Sequence, residues 1–346
     1  MDLNAFRMNR RKFAVATAGT IAIAPVSRVF AQDDAVVYEE PDNAADLSGE
    51  FEADGSSTLG PLTEAAIEEF AAIAPNVQIT NGISGSGGGF ERFANGEIAI
   101  SNASRQINEE EAALAAENGV AWYRFDMAYD GITVVVSAEN DFITDLTVDE
   151  LARIWSADGG VTTWADVREG FPDENIELYG PGTASGTFDY FNEEILGEDV
   201  NVRTDYTPSE DDNVLVQGVA GSPYALGYFG FSYFEENQDT LKAVEIDAGN
   251  GPVAPSIETI ADGSYQPLSR TLYIYVNAGE LQARPEIQEF VKFYAATSDE
   301  IAPSVGYIAL PDDAEQATVD HVAGAIDGSI APDSESFGQD EATPAS

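Results

Sequence analysis

Residues 55–90 read GSSTLGPLTEAAIEEFAAIAPNVQITNGISGSGGGF. The segment opens with a Gly/Ser/Thr turn and continues with a helical pattern in PLTEAAIEEFAAIA. It then passes through the short apolar run VQIT and ends in a second turn rich in glycine and serine. This succession predicts a turn, a helix, a strand and another turn, which is the repeating unit of an α/β fold.

The same alternation continues to about residue 310. Strand-like runs are GITVVVS, IELYG and TLYIYVN, and helical patterns are VDELARIW and RPEIQEFVKFYAAT. The 346 residues, 44% of them apolar, can bury a sizeable core in two domains or one large one. Cysteine is absent, which excludes disulfides, thiolate metal sites and a cysteine nucleophile. We therefore expect an α/β protein with βα units on mainly parallel sheets.

The charge is strongly negative. Sixty-two acidic residues stand against fifteen basic ones, of which three are lysines, and the formal net charge is −47. Such a charge argues against nucleic acid or an anionic membrane as a partner. Acidic residues are spread through segments with folded patterns, such as ITDLTVDELARIW. Such an acidic surface repels itself at 0.1 M salt, where the Debye length is about 10 Å, and this repulsion is largely screened at 1 M, where the length is about 3 Å. We therefore predict adaptation to concentrated salt; the alternative is an acidic protein of ordinary salt conditions.

The N-terminal region has the layout of a signal peptide. Arg10-Arg11-Lys12-Phe13 precedes the small-residue run AVATAGTIAIAP, and Val29-Phe30-Ala31 precedes an acidic segment. The paired arginines predict a twin-arginine signal over residues 1–31 and hence export to an extracellular, cell-surface or periplasm-like space. A buried N-terminal helix is the alternative. We expect an acidic linker at 32–50 and a disordered acidic tail at 327–346.

Three turns share one design. Gly55–Leu59, Ser84–Gly89 and Thr183–Thr187 each run directly into a helical pattern. Each turn would present free backbone N–H groups, a hydroxyl and the positive end of a helix dipole. A single such turn is also explained by ordinary helix capping. Three converging turns predict a site for a small oxyanion, and none of them matches a P-loop or a dinucleotide fingerprint.

Together with further motifs, these turns resemble the phosphate-binding proteins of phosphate ABC transporters, in the branch common among archaea and some bacteria. The further motifs are ISNASRQI, AYDGITVVV, LARIWSADGGVTTWADV, YGPGTASGTFDYF, DDNVLVQGVAGSPYALGYFGFSYF and YQPLSRTLYIYV. The resemblance covers about residues 51–310. It implies a two-lobed, type II periplasmic-binding-protein-like fold, with mixed, mainly parallel sheets flanked by helices. Lobe I would be 51–128 plus 271–326 and lobe II 131–266, with hinge crossovers near Tyr129-Asp130 and Pro267–Thr271.

The resemblance also implies the residues that hold the anion. Those carried over are Ser57, Thr58 and Leu59 from the first turn, Ser86 and Gly87 from the second, Ser104 and Arg105, and Ser185, Gly186 and Thr187 from the third. Ser104 stands where some members place an aspartate that accepts the phosphate proton.

One departure concerns the family's arginine, whose position is occupied here by Pro181. We expect Arg105 to replace it, since a planar guanidinium suits a tetrahedral oxyanion. Arg203 and Arg270 are the alternatives. If they do not bind the anion, Arg203 would be a surface residue and Arg270 would form an ion pair at the hinge.

The function that the resemblance implies is an extracytoplasmic solute-binding protein that captures inorganic phosphate. It would deliver phosphate to the membrane permease subunits of an ABC importer, as a monomer, without a cofactor or metal and without catalysis. A receptor for another tetrahedral oxyanion and a phosphate sensor remain open. A secreted phosphatase is disfavoured, because the single histidine, His321, lies outside the three turns and cannot complete a Ser-His-Asp triad there.

Overall fold

The structure is a computed structural model that describes Val36 and residues 38–183, 185–197 and 200–333. The strands are β1 (Ser48–Gly55), β2 (Asn76–Asn81), β3 (Ile100–Ala103), β4 (Trp122–Ser137), β5 (Asp145–Thr147), β6 (Glu177–Pro181), β7 (Thr207–Ser209), β8 (Ala225–Gly230), β9 (Leu241–Ala243), β10 (Glu245–Asp247), β11 (Pro252–Val253) and β12 (Ser269–Asn277). The helices are α1 (Gly60–Phe70), α2 (Gly85–Ala94), α3 (Glu109–Glu117), α4 (Val148–Trp155), α5 (Trp164–Val167), α6 (Gly186–Ile195), α7 (Asp212–Ala220), α8 (Phe231–Glu235), α9 (Ile257–Ala261), α10 (Ala278–Ala283), α11 (Pro285–Ser304) and α12 (Asp312–Asp327).

The main sheet has the strand order β2-β1-β3-β12-β4-β8-β6-β7, with β9 also paired to β4, and a small sheet has the order β11-β10-β5. The predicted α/β class is therefore confirmed. The sheets are evenly mixed rather than mainly parallel. Every antiparallel pair of the main sheet involves β4 or β12, and its other pairs are parallel. Parallel βα units thus flank two long strands that run through the middle.

The hydrophobic core of the described residues consists of four clusters of buried residues, and the two largest meet along β4. The first part of this strand pairs with β12, and the part from Ile132 onward pairs with β8 and β9. One core includes Ala128 and Leu272, and we call this part lobe I. The other includes Ile132 and Leu268, and we call it lobe II. The predicted crossover at Tyr129-Asp130 lies between Ala128 and Ile132, and the one at Pro267–Thr271 overlaps the interval from Leu268 to Leu272.

Two glycines bring the first two predicted turns together. A Cβ atom on Gly89 would lie 2.6 Å from the Cα atom of Gly55 and 2.9 Å from the backbone oxygen of Asp54. Gly55 itself has φ +138°, and a Cβ atom there would lie 2.1 Å from the backbone oxygen of Asn102. Only glycine fits both positions. The end of β1 and the start of α2 can therefore pack directly against each other.

The predicted linker at 32–50 is wrong for its described second half. The Tyr38 ring packs edge-on against Phe293 with centroids 5.2 Å apart, and its hydroxyl donates to the Glu289 carboxylate at 2.6 Å. A 3₁₀ helix follows at Ala44–Asp46, and β1 already begins at Ser48. This order was not predictable from the sequence, because the apolar residues here are isolated and show no periodicity. Tyr38 packs against α11, and Ala44 and Leu47 are buried or partly buried.

The predicted tail is also wrong at its start. Gly328 ends α12 in the left-handed conformation, with φ +78°. Asp333 then exchanges two backbone hydrogen bonds with Trp122, at 2.8 and 3.0 Å. The rest of the predicted tail and the predicted signal peptide lie outside the described residues. Within the part of the chain that the structure describes, no helix is both long and apolar enough to cross a bilayer.

Candidate functional site: a cavity between the lobes

A cavity of about 340 Å³ lies where the first two turns of lobe I face helix α6 of lobe II. Its lining residues are Ser56, Ser57, Thr58, Gly85, Ser86, Gly87, Ser104, Arg105, Asp189, Tyr190, Glu193, Glu194 and Arg270. Six of the ten predicted anion-binding residues are among them: Ser57, Thr58, Ser86, Gly87, Ser104 and Arg105. The volume and the polar lining suit a small hydrophilic solute.

The first turn lies between β1 and α1. The Gly60 N–H donates to the Ser56 backbone oxygen at 3.1 Å, which closes the turn ahead of the helix. The Leu59 side chain does not line the cavity, because it is fully buried in the lobe I core. The Leu59 N–H makes only a long contact of 3.4 Å to Ser56 Oγ. The turn therefore offers hydroxyls and an N–H group with weak internal bonding.

Asp54 ties the first turn to the second. Its carboxylate accepts from the Gly55 N–H at 2.7 Å, from the Ser84 N–H at 3.0 Å and from the Arg92 guanidinium. Burial alone would raise the pKa of Asp54, but the hydrogen bonds from Arg92, Ser84 and Gly55 lower it below the usual range. An ionised Asp54 thus fixes the relative position of the two turns from behind the cavity.

The second turn is itself helical. Helix α2 begins at Gly85, so the glycine-rich residues form its first turn, where backbone N–H groups have no partner within the helix. Ser86 Oγ lies 3.1 Å from Ser104 Oγ and accepts from the Ser104 N–H at 3.1 Å. Ser86 and Ser104 therefore form one hydroxyl pair on the cavity wall, as expected of two residues of one site.

The third turn differs from the prediction. Ser185, Gly186 and Thr187 do not line the cavity. The Ser185 hydroxyl caps α6 by accepting from the Thr187 N–H at 3.1 Å. A Cβ atom on Gly186 would lie 3.2 Å from both Cα and Oγ1 of Thr58. In this structure the third turn packs against the first turn, and the side of α6 faces the cavity instead.

Arg270 is the most enclosed cation of the cavity. It lies on β12 directly opposite Asp130 on β4, and its side chain is 13% exposed. Its Nε donates to the Asp130 carboxylate at 3.1 Å and its Nη2 to the Thr58 hydroxyl at 2.7 Å. The guanidinium lies 3.4 Å from the centre of the Tyr190 ring. Burial raises the pKa of Asp130, and the positive charge of Arg270 opposes this rise.

Arg105 and Arg203 are engaged elsewhere. Arg105 lines the cavity but donates both branches of its fork to Glu111, at 2.8 and 2.9 Å, and its side chain is 41% exposed. Arg203 lines a separate cavity of about 630 Å³. There it bonds Asp205 and two backbone oxygens, and so serves a structural role. Of the three candidate arginines, Arg270 is therefore the one placed for a buried anion.

The face of α6 is acidic. Asp189, Glu193 and Glu194 line the cavity on successive helical turns. Partial burial raises the pKa of Asp189, repulsion from Glu193 raises it further, and Arg270 opposes both effects. The pKa of Glu194 is raised for the same reasons. The cavity thus has a hydroxyl and N–H side on lobe I and a carboxylate side on lobe II.

Sequence reasoning missed this carboxylate side. Asp189 and Glu193 are four residues apart in FDYFNEEI, and Tyr190 and Glu194 repeat that spacing. Such spacing places each pair on one helix face, directly after a turn already assigned to the site. That signal could have extended the predicted site into α6.

The single histidine lies away from the cavity. The His321 ring packs edge-on against Phe125, with centroids 5.0 Å apart, and near Tyr123. Burial lowers its pKa. Among the described residues, no group of three or more acidic or histidine side chains could hold a metal ion.

Known proteins share this architecture. A family model described as a PBP superfamily domain matches residues 40–300. Protein SphX of Synechocystis is 49% identical over 262 residues, covering 75% of this chain and 78% of SphX. The phosphate-binding protein PstS of Staphylococcus saprophyticus is 40% identical over 265 residues, covering 76% of this chain and 81% of that protein. The chain belongs to the PstS and SphX family of the PBP superfamily.

The crystal structure of a possible phosphate binding protein from Planctomyces limnophilus also superposes on this family member. The TM-score is 0.78 at 46% identity, and the match covers 81% of this chain and 99% of the other. The predicted two-lobed binding-protein fold is confirmed by this match. Membership of a family of binding proteins also confirms the prediction of a receptor rather than an enzyme.

Proposed function

We propose that this chain is an exported receptor that captures inorganic phosphate in the cavity between its lobes and presents it to a phosphate ABC importer. The relatives named as phosphate-binding proteins support this reading. An ABC-type phosphate transport receptor from Vibrio cholerae, at 23% identity, shares only the fold. The permease subunits of such an importer are the proposed partners, and the proposed working form is a monomer.

The observation that carries the proposal is the placement of Arg270. A guanidinium has five N–H donors, and the bonds to Asp130 and Thr58 use only part of them. Asp130 and the Tyr190 ring hold the fork in position before a ligand arrives. A pre-oriented arginine loses little conformational freedom on binding an oxyanion. The proposed ligand set is Arg270 with Ser57, Thr58, the Leu59 N–H, Ser86, Gly87 and Ser104.

We further propose that the lobes close around phosphate by bending near Tyr129-Asp130 and Pro267–Thr271, where the cores change. Closure would move the third turn and the α6 face relative to lobe I. Arg270 and Asp130 lie within these intervals, so the ion pair would remain close to the axis of the motion.

The export signal and the salt adaptation belong to the same proposal. Residues 1–31 would direct export through a twin-arginine signal, and membership of a halophile branch would explain 62 acidic residues with only three lysines. Concentrated salt would screen the repulsion between this charge and an incoming anion.

The test is calorimetric titration of the full chain with phosphate and then sulfate in about 1 M potassium chloride, a salt level that screens the surface charge. We expect one phosphate per chain and much weaker sulfate binding. Absence of phosphate binding by folded protein contradicts the proposal. Equal binding of both anions would assign the cavity to tetrahedral oxyanions in general.

A further inference from the structure

The segment between α11 and α12 contacts both lobes. Tyr129 and Ile308 exchange two backbone hydrogen bonds, both at 2.9 Å, and Ser232 Oγ donates to the Gly306 backbone oxygen at 3.0 Å. Ile308 belongs to the lobe II core, whereas Tyr307 packs against the lobe I core. The segment is therefore a third link between the lobes, in addition to β4 and β12.

Tyr307 extends this link to the cavity wall. Its hydroxyl donates to the backbone oxygen of Thr58. The Thr58 hydroxyl accepts from Arg270 on the crossing strand β12. A single residue of the first turn is thus held through its backbone by the third link and through its side chain by a crossing strand.

The bond from Tyr307 orients a donor as well as an acceptor. A trans peptide unit is planar, and its C=O and N–H groups point in opposite directions. Fixing the Thr58 oxygen therefore fixes the direction of the Leu59 N–H. That N–H makes only the 3.4 Å contact with Ser56 Oγ, so it keeps capacity for a stronger acceptor.

Tyr307 stays a donor at all ordinary pH values. Burial raises the pKa of its hydroxyl, the nearby Asp130 carboxylate raises it further, and Arg270 opposes the rise. The tyrosine therefore lies beside the same ion pair that faces the cavity.

We infer that Tyr307 is a positioning residue for the anion: it couples the lobe II anchor at Gly306 and Ile308 to the peptide unit of Thr58 and Leu59. The inference rests on the proposed function. Movement of lobe II would shift the third link, and the hydrogen bond from Tyr307 would pass that shift to the first turn. Binding and closure are thereby coupled at the cavity wall itself.

The test compares two variants that each remove one tyrosine hydroxyl. Tyr307→Phe removes the bond to Thr58. The matched control Tyr123→Phe removes a bond to the backbone oxygen of Ile330 at 3.2 Å, at the far end of β4. We expect Tyr307→Phe to weaken phosphate binding about tenfold, the cost of one buried hydrogen bond, through faster dissociation. We expect the control to leave affinity unchanged, with a similar change in Tm for both. Equal phosphate affinity in the two variants overturns the inference.

A second variant tests the coupling from lobe II. Ser232→Ala removes the anchor on Gly306 and touches neither Tyr307 nor Thr58. We expect faster phosphate dissociation than in the parent, and an unchanged rate overturns the coupling.

Amide hydrogen exchange measured without phosphate tests this inference independently of the proposed function. In Tyr307→Phe the amides of residues 56–60 should exchange hydrogen faster than in Tyr123→Phe, whatever the ligand. If the parent binds no phosphate, the proposed function fails, and this exchange difference alone decides the positioning role. Equal exchange in the two variants overturns it.

Discussion

The two walls of the cavity are chemical opposites. Lobe I contributes hydroxyls and the open N–H groups at the start of α2, whereas lobe II contributes three carboxylates on α6. Arg270 lies on a crossing strand between them and is paired with Asp130. Attraction for an anion therefore comes from one lobe and the hinge region. The carboxylates of the opposite lobe repel an anion. The balance between this repulsion and the attraction depends on the protonation of the α6 carboxyls.

The largest expected effect concerns the arginine between the walls. Arg270→Gln should weaken phosphate binding at least about 100-fold, since it removes the buried charge that we propose as a ligand of the anion. Because the change also leaves Asp130 without its counter-charge, the double variant Arg270→Gln/Asp130→Asn should recover stability without recovering affinity. The matched control Arg105→Gln should cost less than about fivefold, because an exposed, already paired arginine contributes little. Titration calorimetry and thermal unfolding measure both. A greater loss of phosphate affinity in Arg105→Gln than in Arg270→Gln would assign the anion-binding role to Arg105.

A smaller effect is expected from the acidic wall. Asp189→Asn/Glu194→Gln should tighten phosphate binding about threefold at low salt, and the gain should shrink in 1 M potassium chloride as screening takes over. The control Glu139→Gln/Asp239→Asn makes the same charge change near the lobe II end of β4 and should alter affinity less. Calorimetry at two salt concentrations measures the difference. Weaker binding in the α6 variant would show instead that a carboxyl accepts a phosphate hydroxyl.

The smallest effect on binding is expected from a carboxyl outside the cavity. Burial and the neighbouring Asp299 and Asp312 raise the pKa of Glu315 to about 7. An acid whose folded pKa is raised stabilises the fold below its ordinary pKa and loses that contribution as the pH rises through 7. Stability should fall by about 1–3 kcal/mol between pH 5 and 8 on this account.

Glu315→Gln should remove that pH dependence and leave phosphate affinity unchanged. Urea unfolding in 1 M potassium chloride across this pH range measures it. A variant less stable than the parent at pH 8 would contradict the raised pKa. An unchanged affinity would assign any pH dependence of binding to the cavity walls or to phosphate itself.

Local patterns predicted much of the fold. The sequence VDELARIW forms α4 with Thr147 as its cap, and TLYIYVN lies in β12, because amphipathic spacing and β-branched runs act over short distances. The residues of the lobe I wall were predictable from local patterns too, because its turns directly precede helices. The evenly mixed sheet was not predictable from these runs, since strand direction depends on the path of β4 and β12 through both lobes.

The role of Arg270 could not be predicted from local sequence, because its partners are distant along the chain. Asp130 is 140 residues away and Thr58 is 212 residues away. No local sequence pattern predicts contacts between residues so far apart along the chain. Tyr38 escaped notice for the same reason, since its partner Glu289 lies 251 residues along the chain. The Asp189 and Glu193 pair was visible as a helical spacing but had no expected role.

Strand β4 has one further consequence. Its 16 residues run without interruption from the lobe I core into the lobe II core. At about 3.3 Å per residue it is on the order of 50 Å long. Each core therefore packs against one half of the same strand, so loosening one half is expected to weaken the backbone hydrogen bonds of the other. We therefore expect the two lobes to unfold together, as one cooperative unit.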